Sequence, residues 1–325
     1  MKKTILSGMR PTGRLHIGHY VGALENWVSL QGDYQNYHLV ADLHVLTTNT
    51  NTSNIEDYTL DMVMDWIASG IDPEKSPMFR QSQIKQHSEL FLIFCMLITK
   101  SRLERNPTLK EQVRDMEIDN MIYGHLGYPV LQAADILLYK GNLVPVGEDQ
   151  LSHIEITREI ARKFNFEYGN VFPEPDPKLT KFSRLPGLDG KAKMSKSLGN
   201  TIFLSDAPED IFASVKKAVT DTQKQRKNDP GRPEVCTVYT YHEKFNPAET
   251  ETIAADCRSG ALGCVDCKKR CATAISDFFE PIRERRAPLA ANPEKVKEIL
   301  LDGETKARKV AEETMRQVHE AMKLG

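Results

Sequence analysis

Hydrophobic residues in the first two hundred positions form short runs that alternate with amphipathic stretches. Apolar runs bounded by glycine, proline or polar clusters are typical of strands in a buried parallel sheet. Such runs occur at residues 4–8, 36–47, 78–83 and 143–146. Helical spacing follows them at residues 55–69 and 151–164, and residues 121–141 predict a helix that leaves a turn containing glycine and proline. The alternation predicts an α/β fold.

The pattern becomes entirely helical from about residue 206. Proline and glycine break it at residues 229–233, and the last predicted helix, within residues 293–325, is interrupted near Gly303 because glycine disfavours a helix interior. We therefore expect a Rossmann-like parallel-sheet domain at residues 1–192, followed by an all-helical domain at residues 193–325.

Length and charge narrow the class of protein. A chain of 325 residues favours two domains, and its net charge of -2 means that a polyanion would bind at local basic patches. The longest apolar stretch, residues 90–99, is half the roughly 20 residues of a membrane span, so we expect a buried helix with Cys95 packed inside it and no membrane segment. The first residues contain no signal-peptide core, which predicts a cytoplasmic location.

Five of the six cysteines lie after residue 235. Four of these five cysteines form a set whose last two members are a Cys-x2-Cys pair within a polar segment, a pattern typical of soft metal ligands. The set is Cys236, Cys257, Cys264 and Cys267. Zinc and an iron–sulfur cluster both suit such a set, and the spacing does not separate them. Cys271 is an alternative fourth ligand, and packed thiols without a metal are the alternative to the whole interpretation.

Two histidines flank a glycine in the segment Arg14-Leu-His16-Ile-Gly18-His19, at a predicted helix start. A helix N-terminus presents free N–H groups to a phosphate, and glycine allows a close approach. His16 and His19 could then donate to phosphate oxygens in a transition state. Taken alone, the segment also fits a metal site or helix-capping histidines.

A second motif, Lys-Met-Ser-Lys-Ser at residues 193–197, lies on a glycine-flanked segment. Alone it could be a solvated loop, but its two ammonium groups could also stabilise charge on a leaving pyrophosphate. In this order and at this separation, the two motifs resemble the signatures of class I aminoacyl-tRNA synthetases. The resemblance implies a catalytic domain with dimer-forming helices at residues 1–192, and a motif loop with a helical domain for the tRNA anticodon at residues 193–325.

The segments between the motifs are similar to the tryptophanyl and tyrosyl subgroup, and residues 144–161 resemble the bacterial tryptophanyl enzymes in particular. By this resemblance, Asp135 accepts the indole N–H. Leu6 lies where tyrosyl enzymes usually have a tyrosine, so a bound phenol would lose a hydrogen bond worth ~1 to 3 kcal/mol. Gln132, however, is the residue of tyrosyl enzymes, and Arg10 replaces a glutamine common in bacterial tryptophanyl enzymes. A tyrosyl enzyme of the same fold therefore stays as the alternative.

The resemblance implies a set of residues for each task. The catalytic residues would be His16, His19, Lys193 and Lys196. Tryptophan would be bound by Leu6, Gly8, His44 on the second strand, Tyr128, Gln132, Asp135 and Gln150. ATP would be bound by Arg10, Pro11, Thr12, Gly18, His19, Gly147, Glu148, Asp149, Arg184, Lys193, Met194, Ser195, Lys196 and Ser197. Several of these are residue types that more often pack than bind, so their roles depend on the surrounding motifs.

The implied reaction is attack of the tryptophan carboxylate on the α-phosphorus of ATP, with Mg²⁺ on the phosphates, followed by transfer of tryptophan to tRNA(Trp). Residues 216–232, with six basic and two acidic side chains, could contact tRNA phosphates or form a solvated helix face. Enzymes of this subgroup are homodimers, and residues 89–106 suit such an interface. A subset of them carries a 4Fe-4S cluster on a similar cysteine pattern, which implies that cluster here, with Zn²⁺ as the alternative.

Two alternative functions, from other classes of protein, also stay open. A small adenylyltransferase also uses a His-x-Gly-His turn, but needs neither the lysine motif nor a long helical tail. A metal-cluster regulatory protein on a nucleotide-binding fold would have no task for the lysine motif.

Overall fold

The computed structural model describes residues 2–115, 120–179, 185–191, 193–196 and 198–324. Its strands form one sheet in the order β3-β2-β1-β4-β5, and every pairing is parallel. The strands are β1 (Thr4–Met9), β2 (Gln35–Val40), β3 (Met78–Arg80), β4 (Leu143–Val146) and β5 (Asp176–Leu179). This sheet confirms the predicted Rossmann-like α/β fold, with helices following it to the end of the chain.

Helices surround the sheet and form the C-terminal part. Those of the first half are α1 (Ile17–His19), α2 (Glu25–Leu30), α3 (Asp42–Val45), α4 (Ile55–Ala68), α5 (Gln86–Cys95), α6 (Lys100–Glu104), α7 (Pro107–Asp115), α8 (Tyr123–Leu138) and α9 (Leu151–Tyr168). Those of the second half are α10 (Pro208–Lys217), α11 (Thr237–Phe245), α12 (Thr250–Ser259), α13 (Cys264–Ala291) and α14 (Pro293–Met322). No described helix is both long and apolar enough to cross a lipid bilayer.

The strand order creates a crevice at the centre of the sheet. From β1 the chain continues to β2 and β3 on one side, while β4 and β5 pair on the other side. At such a switch point the loops leaving the carboxyl ends of two neighbouring strands diverge, and ligands bind between them. The ends of β1 and β4 therefore define the expected position of a substrate site.

Three local predictions about the first half are wrong. His44 lies in α3 rather than on the second strand, because β2 ends at Val40. Helix α8 begins at Tyr123 and continues through Pro129, instead of beginning after the glycine and proline turn. The apolar stretch at residues 90–99 is not a wholly buried helix, since α5 ends at Cys95 and the side chains of Leu92 and Met96 are 58% and 73% exposed.

The last helix is continuous through Gly303, so the predicted interruption there is also wrong. Helix α14 packs against β3 at this point, and a Cβ atom at residue 303 would lie 1.9 Å from the carbonyl oxygen of Met78. Next to it, Glu304 is buried and accepts a hydrogen bond of 2.6 Å from Arg80 Nε. Gly303 thus permits a close helix-to-strand contact. The final helix covers the β3 edge of the sheet.

Candidate active site

A cavity of about 530 Å³ opens at the switch point between β1 and β4. Its wall contains all seven residues expected to bind tryptophan, which are Leu6, Gly8, His44, Tyr128, Gln132, Asp135 and Gln150. Arg10 and Lys193, predicted for ATP, line the same cavity. Five separate chain segments supply these residues, so the parallel sheet brings together residues that are up to 187 positions apart.

Asp135 on α8 is the most strongly bonded polar group of this cavity. Its side chain is buried, and its Oδ1 accepts hydrogen bonds from Gln81 Nε2 at 2.7 Å and His87 Nδ1 at 2.6 Å. Its Oδ2 accepts one from His44 Nε2 at 2.9 Å. Burial alone would raise the pKa of Asp135, but the hydrogen bond from His44 and the charge and hydrogen bond of His87 outweigh it and hold that pKa at about 2. Asp135 is therefore an ionised acceptor at neutral pH.

One acceptor position of this carboxylate, which lines the cavity, has no partner among the described residues. An ionised carboxylate has about four lone-pair positions. Among the described residues, Gln81, His87 and His44 occupy three of them, two on Oδ1 and one on Oδ2. The remaining position on Oδ2 suits a group that only donates, and buried Leu6 lines the apolar wall of the same cavity.

Tyr128 is fixed by a chain of polar contacts behind the cavity. Its hydroxyl is hydrogen-bonded to His153 Nε2, and His153 Nδ1 lies 3.1 Å from Asn106 Nδ2. His153 is completely buried, and Asn106 also approaches Leu109 N with its Oδ1 at 3.2 Å. The phenol ring of Tyr128 is thus held in one orientation at the cavity wall.

The two histidines of the first motif lie at the start of the helical run that continues from α1 into α2. Their rings stack with centroids 3.6 Å apart, and the backbone N–H of His16 donates to His19 Nδ1 at 3.2 Å. Because Nδ1 of His19 is an acceptor, its proton in the neutral form is on Nε2. Burial, then the charges of Lys196 and Lys193, lower the pKa of His16 to about 4, and burial with the neighbouring His16 lowers the pKa of His19 well below its ordinary value. Both rings are neutral donors at pH 7.

The lysine motif lies directly over this turn. Lys196 Nζ donates to the carbonyl oxygen of Thr12 at 2.6 Å, so the two motifs are in contact. Met194 is buried, and a Cβ at residue 18 would lie 3.0 Å from His16 Nδ1, so Gly18 leaves space for the His16 ring. Asn200 closes the loop by accepting from Ser195 N at 2.8 Å and donating to the Lys193 carbonyl at 3.3 Å.

The other residues expected at ATP are distributed around the same region. Pro11 and Thr12 line a neighbouring cavity of about 310 Å³, together with Tyr58 and the polar loop at residues 49–54. Gly147 precedes the short 3-10 turn Glu148–Gln150, and Glu148 is exposed. Arg184, Ser197 and the side chain of Asp149 lie outside the described residues.

Sequence reasoning missed His87 and Gln81, which hold Asp135 from behind. His87 is fully buried on α5, and its second nitrogen, Nε2, lies 3.0 Å from the Tyr139 hydroxyl. Neither residue belongs to a motif, and both are more than 45 positions from Asp135. The one local signal was a histidine within an otherwise apolar helical pattern.

The four predicted ligand cysteines come from three neighbouring elements of the C-terminal part. Cys236 precedes α11, Cys257 lies in α12, and Cys264 and Cys267 lie in the first turn of α13. Burial, followed by the charges of Cys236, Cys257 and Cys264, raises the pKa of Cys267 to about 12. Among the described residues, no three histidine, cysteine, aspartate or glutamate side chains are arranged to hold a metal ion.

Cys271 differs from the other four cysteines of this region. It is buried in the hydrophobic core, and its Sγ lies 3.8 Å from the carbonyl oxygen of Val238. The other four cysteines are partly exposed.

Comparison with known proteins gives matches over nearly the whole chain. The family described as tRNA synthetases class I (W and Y) matches residues 2–280. The tryptophan–tRNA ligase of Thermotoga maritima is 48% identical, over 98% of this chain and 99% of that protein, and that of Aquifex aeolicus is 42% identical over the same shares. A crystal structure of the tryptophanyl-tRNA synthetase from Campylobacter jejuni, complexed with ADP and tryptophan, superimposes with a TM-score of 0.89 at 33% identity, over 99% of this chain and 100% of that one.

Proposed function

Because this chain belongs to the class I tRNA synthetases for tryptophan and tyrosine, we propose that it acts as a tryptophan–tRNA ligase. The observation that carries the choice of tryptophan is the buried Asp135 carboxylate, which presents one acceptor position to a cavity lined by Leu6. The indole ring donates through its N–H and offers no acceptor in the ring plane. Its chemistry matches this position.

Tyrosine fits the same cavity less well. Its hydroxyl could donate to Asp135, but its oxygen would also need a donor when buried. Leu6 supplies none, and His44 Nε2 already donates to Asp135. A phenol oxygen without a donor costs about 1 to 3 kcal/mol, a factor of roughly 5 to 150 in affinity. Gln132 could supply that donor, so tyrosine is the competitor to measure.

In the first reaction, a carboxylate oxygen of tryptophan attacks the α-phosphorus of ATP. A new O–P bond forms, the bond from the α-phosphorus to the bridging oxygen breaks, and pyrophosphate leaves with both electrons of that bond. Mg²⁺ usually binds with few protein ligands and several waters, so it enters with ATP and neutralises phosphate charge. The protein supplies in-line positioning and charge stabilisation.

The residues of the two motifs have distinct tasks in this step. His16 and His19 are neutral and donate N–H groups to phosphate oxygens without adding a full charge. Lys193 at the cavity wall and Lys196 over Thr12 provide the positive charge. Their cationic groups stabilise the departing pyrophosphate, whose charge grows as the bond breaks.

In the second reaction, a ribose hydroxyl at the 3′ end of tRNA(Trp) attacks the acyl carbon. An ester bond forms, AMP leaves as the acyl–phosphate bond breaks, and the hydroxyl proton is released. Of the six basic residues in 216–232, Lys224 and Arg232 are engaged within the protein by Asp229 and Asp221. The four exposed ones are Lys216, Lys217, Arg226 and Lys227, and we propose that they contact tRNA phosphates, although Lys227 also lies 3.9 Å from Asp266 Oδ2.

Amino-acid-dependent exchange of labelled pyrophosphate into ATP tests the function. Exchange is expected with tryptophan, and charging is expected with tRNA(Trp). Exchange that depends on tyrosine instead would overturn the specificity. If none of the twenty amino acids supports pyrophosphate exchange, the proposed enzyme class is wrong.

The same proposal includes a 4Fe-4S cluster on Cys236, Cys257, Cys264 and Cys267. Four cysteines from three neighbouring elements form a donor set whose softness suits iron–sulfur chemistry, with Zn²⁺ as the alternative. Cys271 faces the core and is the weaker candidate for the fourth ligand. When bound, the group would cross-link α11, α12 and α13 and so stabilise this part of the protein.

Metal and sulfide analysis after anaerobic purification tests the cluster. About four iron and four sulfide per chain are expected for 4Fe-4S, together with a brown colour. A stoichiometric amount of zinc would instead support the Zn²⁺ site. If neither iron nor zinc is present in a stoichiometric amount, both assignments are wrong. Cys267→Ser should lose the metal, whereas Cys95→Ser, outside the set, should retain it.

The homodimer and a cytoplasmic location complete the proposal. Large apolar side chains on α5 and at the start of α8 are more than half exposed, namely Leu92, Met96, Ile122 and Tyr123. Helices α5 and α8 pack against each other, so these side chains share one surface. Exposed apolar patches of this kind are typical of subunit interfaces.

A further inference from the structure

A carboxylate outside both motifs is buried beneath the first one. Asp65 on α4 has no exposed surface, although acidic side chains are rarely buried without partners. Its Oδ2 accepts the backbone N–H of Leu15 at 2.7 Å, one residue before His16. Its Oδ1 accepts from Arg286 Nε at 2.6 Å. Asp65 therefore connects the turn that carries the catalytic histidines with the long helix α13.

Both backbone polar groups of Leu15, its N–H and its carbonyl oxygen, are hydrogen-bonded. While its N–H donates to Asp65, its carbonyl oxygen accepts from Leu204 N at 2.9 Å, and Ile17 N donates to the Ile202 carbonyl at 2.9 Å. Residues 202–204 follow the lysine motif in sequence. Asp65 therefore anchors the backbone of the turn from α4, and the segment after the lysine motif anchors it from the other side, where Arg14 also pairs with Asp206 at 3.4 Å.

The Asp65 carboxylate depends in turn on Arg286. This arginine side chain is 12% exposed, and its Nη2 also donates to Asp61 Oδ1 at 2.6 Å, one helical turn before Asp65. Burial raises the pKa of Asp65, while Arg286 and the Leu15 amide act in the opposite direction. Without the guanidinium, a buried charge would lose its partner, which is costly. Asp65 would then become protonated or turn toward water, and its hold on Leu15 would weaken.

We propose that Asp65 is a positioning residue for ATP and that Arg286 on α13 is the counter-ion that keeps it in place. The inference rests on the proposed synthetase function, because it assigns the turn at residues 15–19 to ATP. It predicts that a change in α13 at Arg286 affects the ATP site and not the tryptophan cavity, whose wall includes neither Asp65 nor Arg286.

Pyrophosphate exchange with Arg286→Gln and Arg285→Gln tests the proposal. Arg285 is the matched control, since it joins α13 to the same helix through the carbonyl oxygen of Ala68 at 2.6 Å but does not contact Asp65. For Arg286→Gln we expect kcat/KM for ATP to fall roughly ten- to a hundredfold, as for a small displacement of a catalytic group. KM for tryptophan should change less than about twofold, and Arg285→Gln should change neither constant more than about twofold.

Further variants separate positioning from loss of folding. Arg286→Lys retains a cation and should recover part of the ATP effect, and Asp65→Asn should reproduce it. The double variant Asp65→Asn/Arg286→Gln should lose no more than the worse single variant, because the pair acts as one unit. If Arg286→Gln does not fold, Arg286→Lys and Asp65→Asn test the proposal instead. The readout is again the fall in kcat/KM for ATP compared with the change in KM for tryptophan.

Equal effects of Arg286→Gln and Arg285→Gln, or equal losses for ATP and tryptophan, would overturn the inference in favour of a merely structural contact. The wild-type chain distinguishes this from failure of the proposed function. If it shows no tryptophan-dependent exchange, the function itself is wrong. If it exchanges and the variants match their control, only the inference is wrong.

Discussion

Single residues determine the chemistry of the candidate site through their charge states. His16 and His19 are kept neutral by burial and by the two nearby lysines, whereas Asp135 is kept ionised by two histidines and a glutamine. The side proposed for ATP thus offers neutral donors with separate cations, and the side proposed for tryptophan offers an anionic acceptor. Each group has the state its proposed partner requires.

The first prediction concerns the two lysines of the second motif. Lys193→Ala or Lys196→Ala should slow pyrophosphate exchange roughly a hundredfold, because each removes a cation that stabilises charge growing in the transition state. Tryptophan affinity should change less than about twofold. Exchange kinetics and equilibrium binding measure the two effects. Lys191→Ala, on the same segment and exposed, is the control, and a larger loss in tryptophan binding than in rate would contradict the assignment.

The second prediction concerns His87. His87→Leu should raise KM for tryptophan roughly tenfold and leave KM for ATP nearly unchanged, since Asp135 would lose a charge-assisted hydrogen bond worth about 1.5 to 3 kcal/mol. Exchange kinetics with each substrate varied would measure this. His38→Leu replaces another fully buried histidine that lies on β2 and does not line the cavity. An equal rise in KM for this control would argue against a role specific to His87.

The third prediction is a pH dependence of stability. The folded pKa of His16 is about 4, below its ordinary value of 6.5, so the unfolded chain binds more protons between these values. His16 therefore contributes stability above pH 6.5 that is lost as the pH falls toward 4. Urea unfolding at pH 7 and pH 5 should show a smaller stability loss on acidification for His16→Asn than for wild type. Equal losses would contradict the lowered pKa.

The helices and strands bring these residues to the candidate site. The sequence pattern predicted only some of these elements correctly. The strands β1, β2, β3 and β4 follow apolar runs and were expected, because burial on both faces leaves a clear pattern. Strand β5, with the sequence Asp-Pro-Lys-Leu, was missed, since a mostly exposed edge strand carries no such pattern. His44 was misplaced because an apolar run continues past the end of β2 into α3.

The fourth prediction belongs to the contact between α14 and β3. Gly303→Ala should destabilise the protein by about 2 to 4 kcal/mol, because the new methyl group would collide with the Met78 carbonyl. If Gly303 only weakened the helix, the same change would instead stabilise it by about 1 kcal/mol. The sign of the change in urea unfolding decides between the two. Thr305→Ala, exposed on the same helix, is the control.

The whole molecule joins the sheet to the C-terminal helices through several independent contacts. Arg286 pairs with Asp65 and Asp61, Lys244 pairs with Glu25 at 2.7 Å, and α14 covers the β3 edge of the sheet. The C-terminal helices, which we propose to contact tRNA, are therefore in direct contact with the elements that carry the turn proposed for ATP. Through these contacts, binding of one end of a tRNA at the C-terminal helices could be coupled to binding of its other end at the sheet domain.

The fifth prediction concerns the association of two chains. Leu92→Lys/Met96→Lys should convert the proposed dimer into monomers, since a buried apolar interface does not tolerate two unpaired charges. Light scattering coupled to size-exclusion chromatography would measure the mass. Leu301→Lys changes an equally exposed leucine on α14 and should leave the dimer intact. A wild-type monomer, or a dimer unaffected by the double substitution, would contradict the proposed interface.

The amino-acid sequence by itself determined the fold class and the two motifs, because burial pattern and motif spacing are local properties of the chain. Through resemblance it also named seven residues for tryptophan, all of which line the cavity between β1 and β4. Only the tertiary structure decided that His87 and Gln81 hold Asp135, that Asp65 links Leu15 to Arg286, and that Gly303 is a packing contact. Those contacts join residues that are 48 to 225 positions apart in the sequence. No local pattern encodes such a pairing, because it depends on how the sheet order and the helix crossings bring distant side chains together.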